Sequence, residues 1–199
     1  MEKIIEKLAN KIVHWSCSNQ SELGSEQEEI LVYGYVLLLE NAYKLLVLLI
    51  VALLTHTLTE TIIIVGSLVL LRNFCGGVHC HGSIGCTLSM IGVWLAGLFV
   101  SKIDIPVPVI FVMAGIIIWT IVRYAPQTTR NNPIQNISVL KRKRIGAILV
   151  MFFLFGAAYV SGILWGRTDI MNMILTAMLI EVISMLILVE KEEKSDEED

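Results

Sequence analysis

Residues 58–100 read LTETIIIVGSLVLLRNFCGGVHCHGSIGCTLSMIGVWLAGLFV, and this stretch indicates the kind of protein the chain forms. Two apolar segments, 58–74 and 84–100, flank a connection rich in cysteine, histidine and glycine. Each apolar segment is close to the shortest length that crosses a bilayer as a helix. Backbone polar groups in hydrocarbon must pair within the protein, which favours helices. The stretch therefore predicts two membrane helices joined by a short, chemically reactive connection.

The rest of the chain continues this pattern. The protein has 199 residues, 55% of them hydrophobic, and a mean hydropathy of +0.73, which is more apolar than a soluble domain usually is. Charged residues are clustered, so further uncharged runs predict spans at 31–54, 105–122, 145–165 and 170–189. We therefore predict an all-α, polytopic membrane protein with about six transmembrane helices. It forms one domain, 1–199, whose membrane bundle is 30–189.

The two ends of the chain are predicted to lie outside the bundle. Within the N-terminal segment 1–29, residues 2–18 have apolar positions at helical spacing opposite charged ones, which predicts an amphipathic helix in the membrane interface. A soluble helix packed on the protein fits the same pattern. Residues 190–199 are mostly acidic and predict a solvated, mobile tail on the cytoplasmic side.

Glu40, Lys44 and Glu181 are ionisable residues that lie well inside the predicted spans, away from their ends. Glu40 and Lys44 are four residues apart, so they share a helix face and can form an ion pair. Glu181 is predicted to be a buried carboxylate that is paired or faces a polar cavity. The pattern leaves open whether these residues are structural or contact a substrate.

Lysine and arginine positions predict the orientation in the cell membrane. With six spans, one side carries only Lys102 and Arg167. The other side carries Lys3, Lys7, Lys11, Arg72, Arg123, Arg130, Lys141, Arg142, Lys143, Arg144, Lys191 and Lys194. Because basic residues are retained in the cytoplasm, both termini and the reactive connection are predicted to be cytoplasmic.

The reactive connection suggests a cysteine peptidase. Such an enzyme needs a thiolate next to an imidazole that activates it and protonates the leaving amine. The candidates are Cys75, Cys80 and Cys86, with His79 or His81. On a continuous helix His79 and Cys86 would lie about 10 Å apart along the axis, so contact requires a break, for which Gly82 and Gly85 are suited. If Cys86 starts the next helix, the helix N-terminus would also favour its thiolate.

A metal site is the alternative interpretation. Tetrahedral zinc could draw its ligands from Cys75, His79, Cys80, His81 and Cys86. Their spacing matches no common zinc pattern, because the connection has no Cys-x-x-Cys pair. The corresponding function would be a non-enzymatic, metal-binding membrane transporter or exporter.

The pattern Arg-x4-Gly-x-His-x6-Cys, filled by Arg72, Gly77, His79 and Cys86, resembles the signature of the accessory gene regulator B (AgrB) family. These are membrane endopeptidases that process quorum-sensing propeptides. Two later segments, Tyr124-Ala125-Pro126 and Asn132-Pro133-Ile134, resemble a proline-containing loop of the same family. The additional Cys80-His81 pair departs from the family pattern and leaves room for another base or nucleophile.

The resemblance implies a mechanism and a partner. Cys86 attacks a bond near the C-terminus of an AgrD-type propeptide with His79 as the base, and a thioester to Cys86 remains. An internal cysteine or serine of the propeptide then closes a thiolactone or lactone ring. Arg72 orients the substrate or holds the connection, and Gly77 permits close backbone approach. The family also implies a homodimer and no cofactor, metal or nucleic acid.

A basic cluster consists of Lys141, Arg142, Lys143 and Arg144. It is predicted either to set the topology and bind anionic lipids, or to contact the acidic C-terminal part of the propeptide.

Overall fold

The computed structural model describes residues 2–17, 25–76, 83–127 and 137–197, and these residues are helical apart from short connections. The helices are α1 (Glu2–Cys17), α2 (Ser25–Leu54), α3 (Leu58–Cys75), α4 (Ser83–Val100), α5 (Val107–Tyr124), α6 (Ile137–Tyr159) and α7 (Thr168–Glu197). A π-helical segment, Val160–Leu164, continues α6. The described ranges contain no strand, which confirms the all-α prediction.

Six apolar helices account for the predicted spans. Five helical stretches are long and apolar enough to cross a membrane: Ile30–Leu54, Leu58–Cys75, Val107–Tyr124, Ile137–Leu164 and Thr168–Ile187. The remaining apolar helix, α4, contributes a shorter apolar stretch, Thr87–Val100. The structure is thus that of a multi-pass membrane protein, with α4 as its least extensive apolar helix.

Helix α7 is the centre of the bundle. It contacts α3, α4, α5 and α6, and its most extensive contact is with α3. Every residue from 172 to 178 is buried, so this part of α7 presents no face to the outside. A helix that is buried on all sides needs neighbours all round, and the surrounding helices supply them.

Contacts between connections show which helix ends lie together. The Gln127 N–H donates to the Cys75 carbonyl at 2.8 Å, so α3 and α5 finish at the same end of the bundle. Arg144 Nη2 donates to the Val122 carbonyl at 2.9 Å, which brings the start of α6 to this end. We call it the basic end. At the opposite end, Asn172 Nδ2 near the start of α7 donates to the Ile103 carbonyl at 2.8 Å.

The N-terminal helix is amphipathic as predicted. Ala9 and Val13 of α1 are buried, and the helix packs on α2. Trp15 on α1 is 81% exposed, and the location of α1 in the membrane interface stays a prediction.

The polar parts of two helices extend beyond the predicted spans. Helix α6 begins at Ile137, so Lys141 and Arg144 lie within a helix, whereas the sequence placed them in a loop before the span. Helix α7 continues to Glu197, so residues 190–197 of the acidic tail extend the last helix beyond the predicted span at 170–189. Hydropathy identifies only the apolar part of a helix. The helical backbone can continue past that part into water.

The ion pair predicted within the first span is present. Lys44 Nζ lies 3.5 Å from Glu40 Oε2 on successive turns of α2. Lys44 is only 5% exposed, so removing Glu40 would leave a buried ammonium without a counter-ion.

Candidate functional site

The reactive connection starts where α3 ends. Gly76 has a φ of +74°, and its N–H donates to the Arg72 carbonyl at 3.0 Å, which closes the last turn of α3. A Cβ at this position would lie 2.7 Å from the Gln127 carbonyl oxygen. Position 76 therefore requires glycine for two reasons. Its φ is positive, and the Gln127 carbonyl approaches it too closely for a Cβ.

The segment after α5 lies against this helix end. Gln127 pairs with the Cys75 carbonyl, Ala125 is buried, and the Ala125–Pro126 peptide bond is cis. These are residues of the first proline-containing segment noted in the sequence. The second segment, which includes Pro133, lies outside the described residues. The structure thus brings the end of α5 to the start of the reactive connection.

Cys75 is placed where a nucleophile would be ineffective. Its side chain is 0% exposed and packs in a hydrophobic cluster with Leu71, Met178 and Val182. A thiol in such surroundings remains protonated and inert, because the thiolate would lose its hydration. Burial therefore disfavours Cys75 as the nucleophile.

Cys86 is placed at a helix N-terminus. It is the fourth residue of α4, whose described backbone starts at Ser83. The positive end of the helix dipole falls within this first turn, where it favours a thiolate. The Cys86 side chain, together with Gly77, His79, Cys80 and His81, lies outside the described residues. The proximity of His79 to Cys86 therefore stays a prediction.

A buried charge lies beside the end of α3. Glu181 of α7 is 1% exposed, and its Oε1 has no hydrogen-bond partner within the described ranges. The charge of half-buried Arg72 acts on this carboxylate, and the carboxylate in turn acts on the Cys75 thiol. The sequence predicted the burial of Glu181, but not its electrostatic interaction with Arg72 and Cys75.

The four residues of the basic cluster point in different directions. Arg144 bonds the Val122 carbonyl, Lys141 and Arg142 are exposed, and Lys143 is half-buried. Lys143 lies four residues before Ala147, a fully buried residue on the inner face of α6. Of the four, Lys143 is thus the one on the face that packs into the bundle.

A close crossing brings this part of α6 to α3. A Cβ added at Gly146 would overlap the Phe74 ring, so the two helices approach closely there. Phe74 directly precedes Cys75, at the start of the reactive connection. The basic cluster therefore lies near the end of α3, from which the reactive connection starts.

Metal ligands do not cluster in the described part of the chain. No group of three or more His, Cys, Asp or Glu side chains there could hold a metal ion. Cys75 is described and buried, whereas the other ligands of the predicted metal site belong to the connection outside the described residues or have undescribed side chains.

Comparisons with known proteins agree with these features. The family described as accessory gene regulator B matches residues 2–185. An AgrB-like protein of Clostridium perfringens is 27% identical over 74% of this chain and 72% of its own length. The accessory gene regulator protein B of Staphylococcus carnosus is 28% identical over 75% of this chain and 78% of its own. FsrB of Enterococcus faecalis is 26% identical over 67% of this chain and 59% of its own length. No solved structure matches the chain.

Fold and site define a multi-pass, helical membrane protein with a cysteine- and histidine-containing connection at the basic end. The chain belongs to the accessory gene regulator B family, whose match covers nearly all of it. Membership implies a role in processing quorum-sensing peptides and an AgrD-type propeptide as the partner.

Proposed function

We propose that the protein is a membrane cysteine endopeptidase that cuts an AgrD-type propeptide and prepares it for cyclisation. Cys86 is the nucleophile and His79 is its general base. The single observation that supports this assignment is where Cys75 and Cys86 lie along the chain. Cys86 is in the first turn of α4, whereas Cys75 is buried in the hydrophobic core.

The proposed reaction has two acyl transfers. His79 takes the proton of the Cys86 thiol, and the thiolate attacks the scissile carbonyl near the C-terminus of the propeptide. The C–N bond breaks, and the imidazolium returns its proton to the leaving amine. An internal thiol or hydroxyl of the propeptide then attacks the resulting thioester, and its proton goes to the released Cys86 thiolate. The product is a thiolactone or lactone ring, and no cofactor or metal is consumed.

The surrounding residues have supporting roles in this proposal. Arg72 lies at the end of α3, where it can orient the connection or a substrate carboxylate. Gly77 permits close approach of the substrate backbone. The basic cluster Lys141–Arg144 lies near the end of α3, and we assign to Lys143, its half-buried member, contact with the acidic C-terminal part of the propeptide.

The proposed arrangement in the cell follows from charge. The basic end, both termini and the reactive connection face the cytoplasm, where the propeptide is made, and basic residues are retained there. The family resemblance further leads us to propose a homodimer.

Cysteine variants test the assignment. Membrane vesicles containing Cys86→Ala should lose propeptide cleavage by at least about a thousandfold, because the covalent step is absent. Cys75→Ala, a matched removal of a thiol, should retain cleavage to within about tenfold, since only packing is affected. Mass spectrometry of the released C-terminal remnant measures the cleavage activity of both variants. Full cleavage by Cys86→Ala, or loss caused by a metal chelator, would refute the proposal.

A further inference from the structure

A groove runs along the outer face of α5 at the basic end. It is lined by Gly115, Ile118, Trp119, Val122 and Arg123 of α5 and by Arg144 of α6. The α5 residues follow one another at helical spacing, so they form a single face. This face is opposite Ile117 and Ile121, which are fully buried in the bundle. The groove therefore lies on the outside of the bundle, where it faces the surrounding membrane.

The floor of the groove is apolar and its mouth is cationic. Ile118, Trp119 and Val122 are each more than 40% exposed, so their burial is left to the membrane. From residue 115 to residue 123 the groove extends about 12 Å along the helix axis. Its volume is about 560 Å³, within the range of sites that hold small ligands. These dimensions suit a segment of one acyl chain.

The two arginines at the mouth have no anionic partner within the described ranges. Arg144 uses Nη2 to bond the Val122 carbonyl, and Arg123 lies over the Tyr124 ring with its guanidinium carbon 6.0 Å from the ring centre. Tyr124 in turn packs edge-to-face on Trp119 at 5.6 Å. Both guanidiniums are thus held by neutral groups and retain donors for an anion. A phosphate accepts such donors well.

We infer that this groove binds one anionic phospholipid, with its headgroup phosphate between Arg123 and Arg144 and an acyl chain along α5. Charge complementarity selects the headgroup, and the apolar floor selects the chain. Basic pockets between membrane helices bind anionic headgroups in this way. The inference is independent of the peptidase chemistry, because the proposed acyl transfers use none of the groove residues.

Native mass spectrometry of the purified, full-length protein tests the inference. Phosphatidylglycerol and phosphatidylcholine with identical acyl chains are titrated separately. The wild-type protein should bind phosphatidylglycerol more tightly. Arg123→Gln/Arg144→Gln should weaken that binding by about fivefold for each arginine. Lys141→Gln/Arg142→Gln removes the same charge from the same end, outside the groove, and should change binding by less than about twofold.

A third variant tests the contribution of the apolar groove separately from that of the arginine charges. A Cβ at Gly115 would meet nothing within 4 Å, so Gly115→Leu fills the groove without a clash and leaves both arginines in place. It should also weaken phosphatidylglycerol binding severalfold. Equal effects of the two double variants, or no effect of Gly115→Leu, would overturn the inference. The inference would also be overturned if Arg123→Gln/Arg144→Gln bound phosphatidylglycerol normally but no longer bound a synthetic acidic peptide.

Discussion

Glu181 is the residue whose position most needs a functional explanation. A buried carboxylate without a hydrogen bond is unfavourable, and ionisable groups inside membrane proteins mark functional sites. Its Oε1 has no partner in the described part of the chain, while the charge of Arg72 acts on it. We expect Glu181 to position Arg72 electrostatically at the start of the reactive connection.

This expectation predicts coupled effects of two substitutions. Arg72→Gln and Glu181→Gln should each reduce the rate of propeptide cleavage roughly tenfold, since each removes one member of the interacting pair. The double variant should be no slower than the slower single variant. Cleavage rates measured in vesicles give the coupling energy, and thermal unfolding of the same proteins controls for a loss of stability. Additive losses would show that the two residues act separately.

At the residue scale, the sequence did not reveal the environment of each side chain. It favoured Cys86 by the family spacing and by a predicted helix start, but it did not show that Cys75 is buried. The burial of Cys75 depends on which segments of α7 and α5 pack against α3. One sequence does not reveal those long-range contacts. Glu40–Lys44 was predictable because the pair is local to one helix.

At the element scale, the junction between α3 and the segment after α5 is the structural support of the site. Gly76→Ala should place a methyl group against the Gln127 carbonyl and force a left-handed alanine, which costs roughly 1–2 kcal/mol before the clash is counted. We expect a lower unfolding temperature and slower propeptide cleavage.

Gly66→Ala is the matched control within the same helix. A Cβ at Gly66 would meet nothing within 4 Å, so this change should leave cleavage intact and stability equal or higher, by up to about 1 kcal/mol. Thermal unfolding in detergent and the cleavage assay measure both variants. If Gly76→Ala behaved like Gly66→Ala, the junction would have no role in supporting the site.

The elements themselves were largely predictable, because apolar runs bounded by charge report membrane helices directly. Helix α3 ends within one residue of the predicted span. The start of α6 at Ile137 and the continuation of α7 to Glu197 were missed, since polar helical turns carry no hydropathy signal. The crossing of Gly146 with Phe74 was also beyond the sequence, because it depends on the relative placement of two helices.

At the scale of the whole molecule, the distribution of charge predicts one orientation. In a variant whose native cysteines are replaced, Lys102→Cys at the opposite end should react with a membrane-impermeant thiol reagent added outside cells. Arg142→Cys, at the basic end, should react only after the membrane is opened. Labelling of intact cells followed by mass detection reports the result. Outside labelling at position 142 would reverse the proposed topology.

The central claim is that Cys86 forms a covalent thioester with the propeptide. A propeptide whose internal nucleophile is replaced by alanine cannot cyclise, so the acyl-enzyme should persist. Acid quenching, tryptic digestion and mass spectrometry would then locate the adduct. The account predicts the N-terminal part of the propeptide on a fragment containing Cys86, and no adduct in Cys86→Ala. An adduct on Cys75 or Cys80, or cleavage without any adduct, would contradict it.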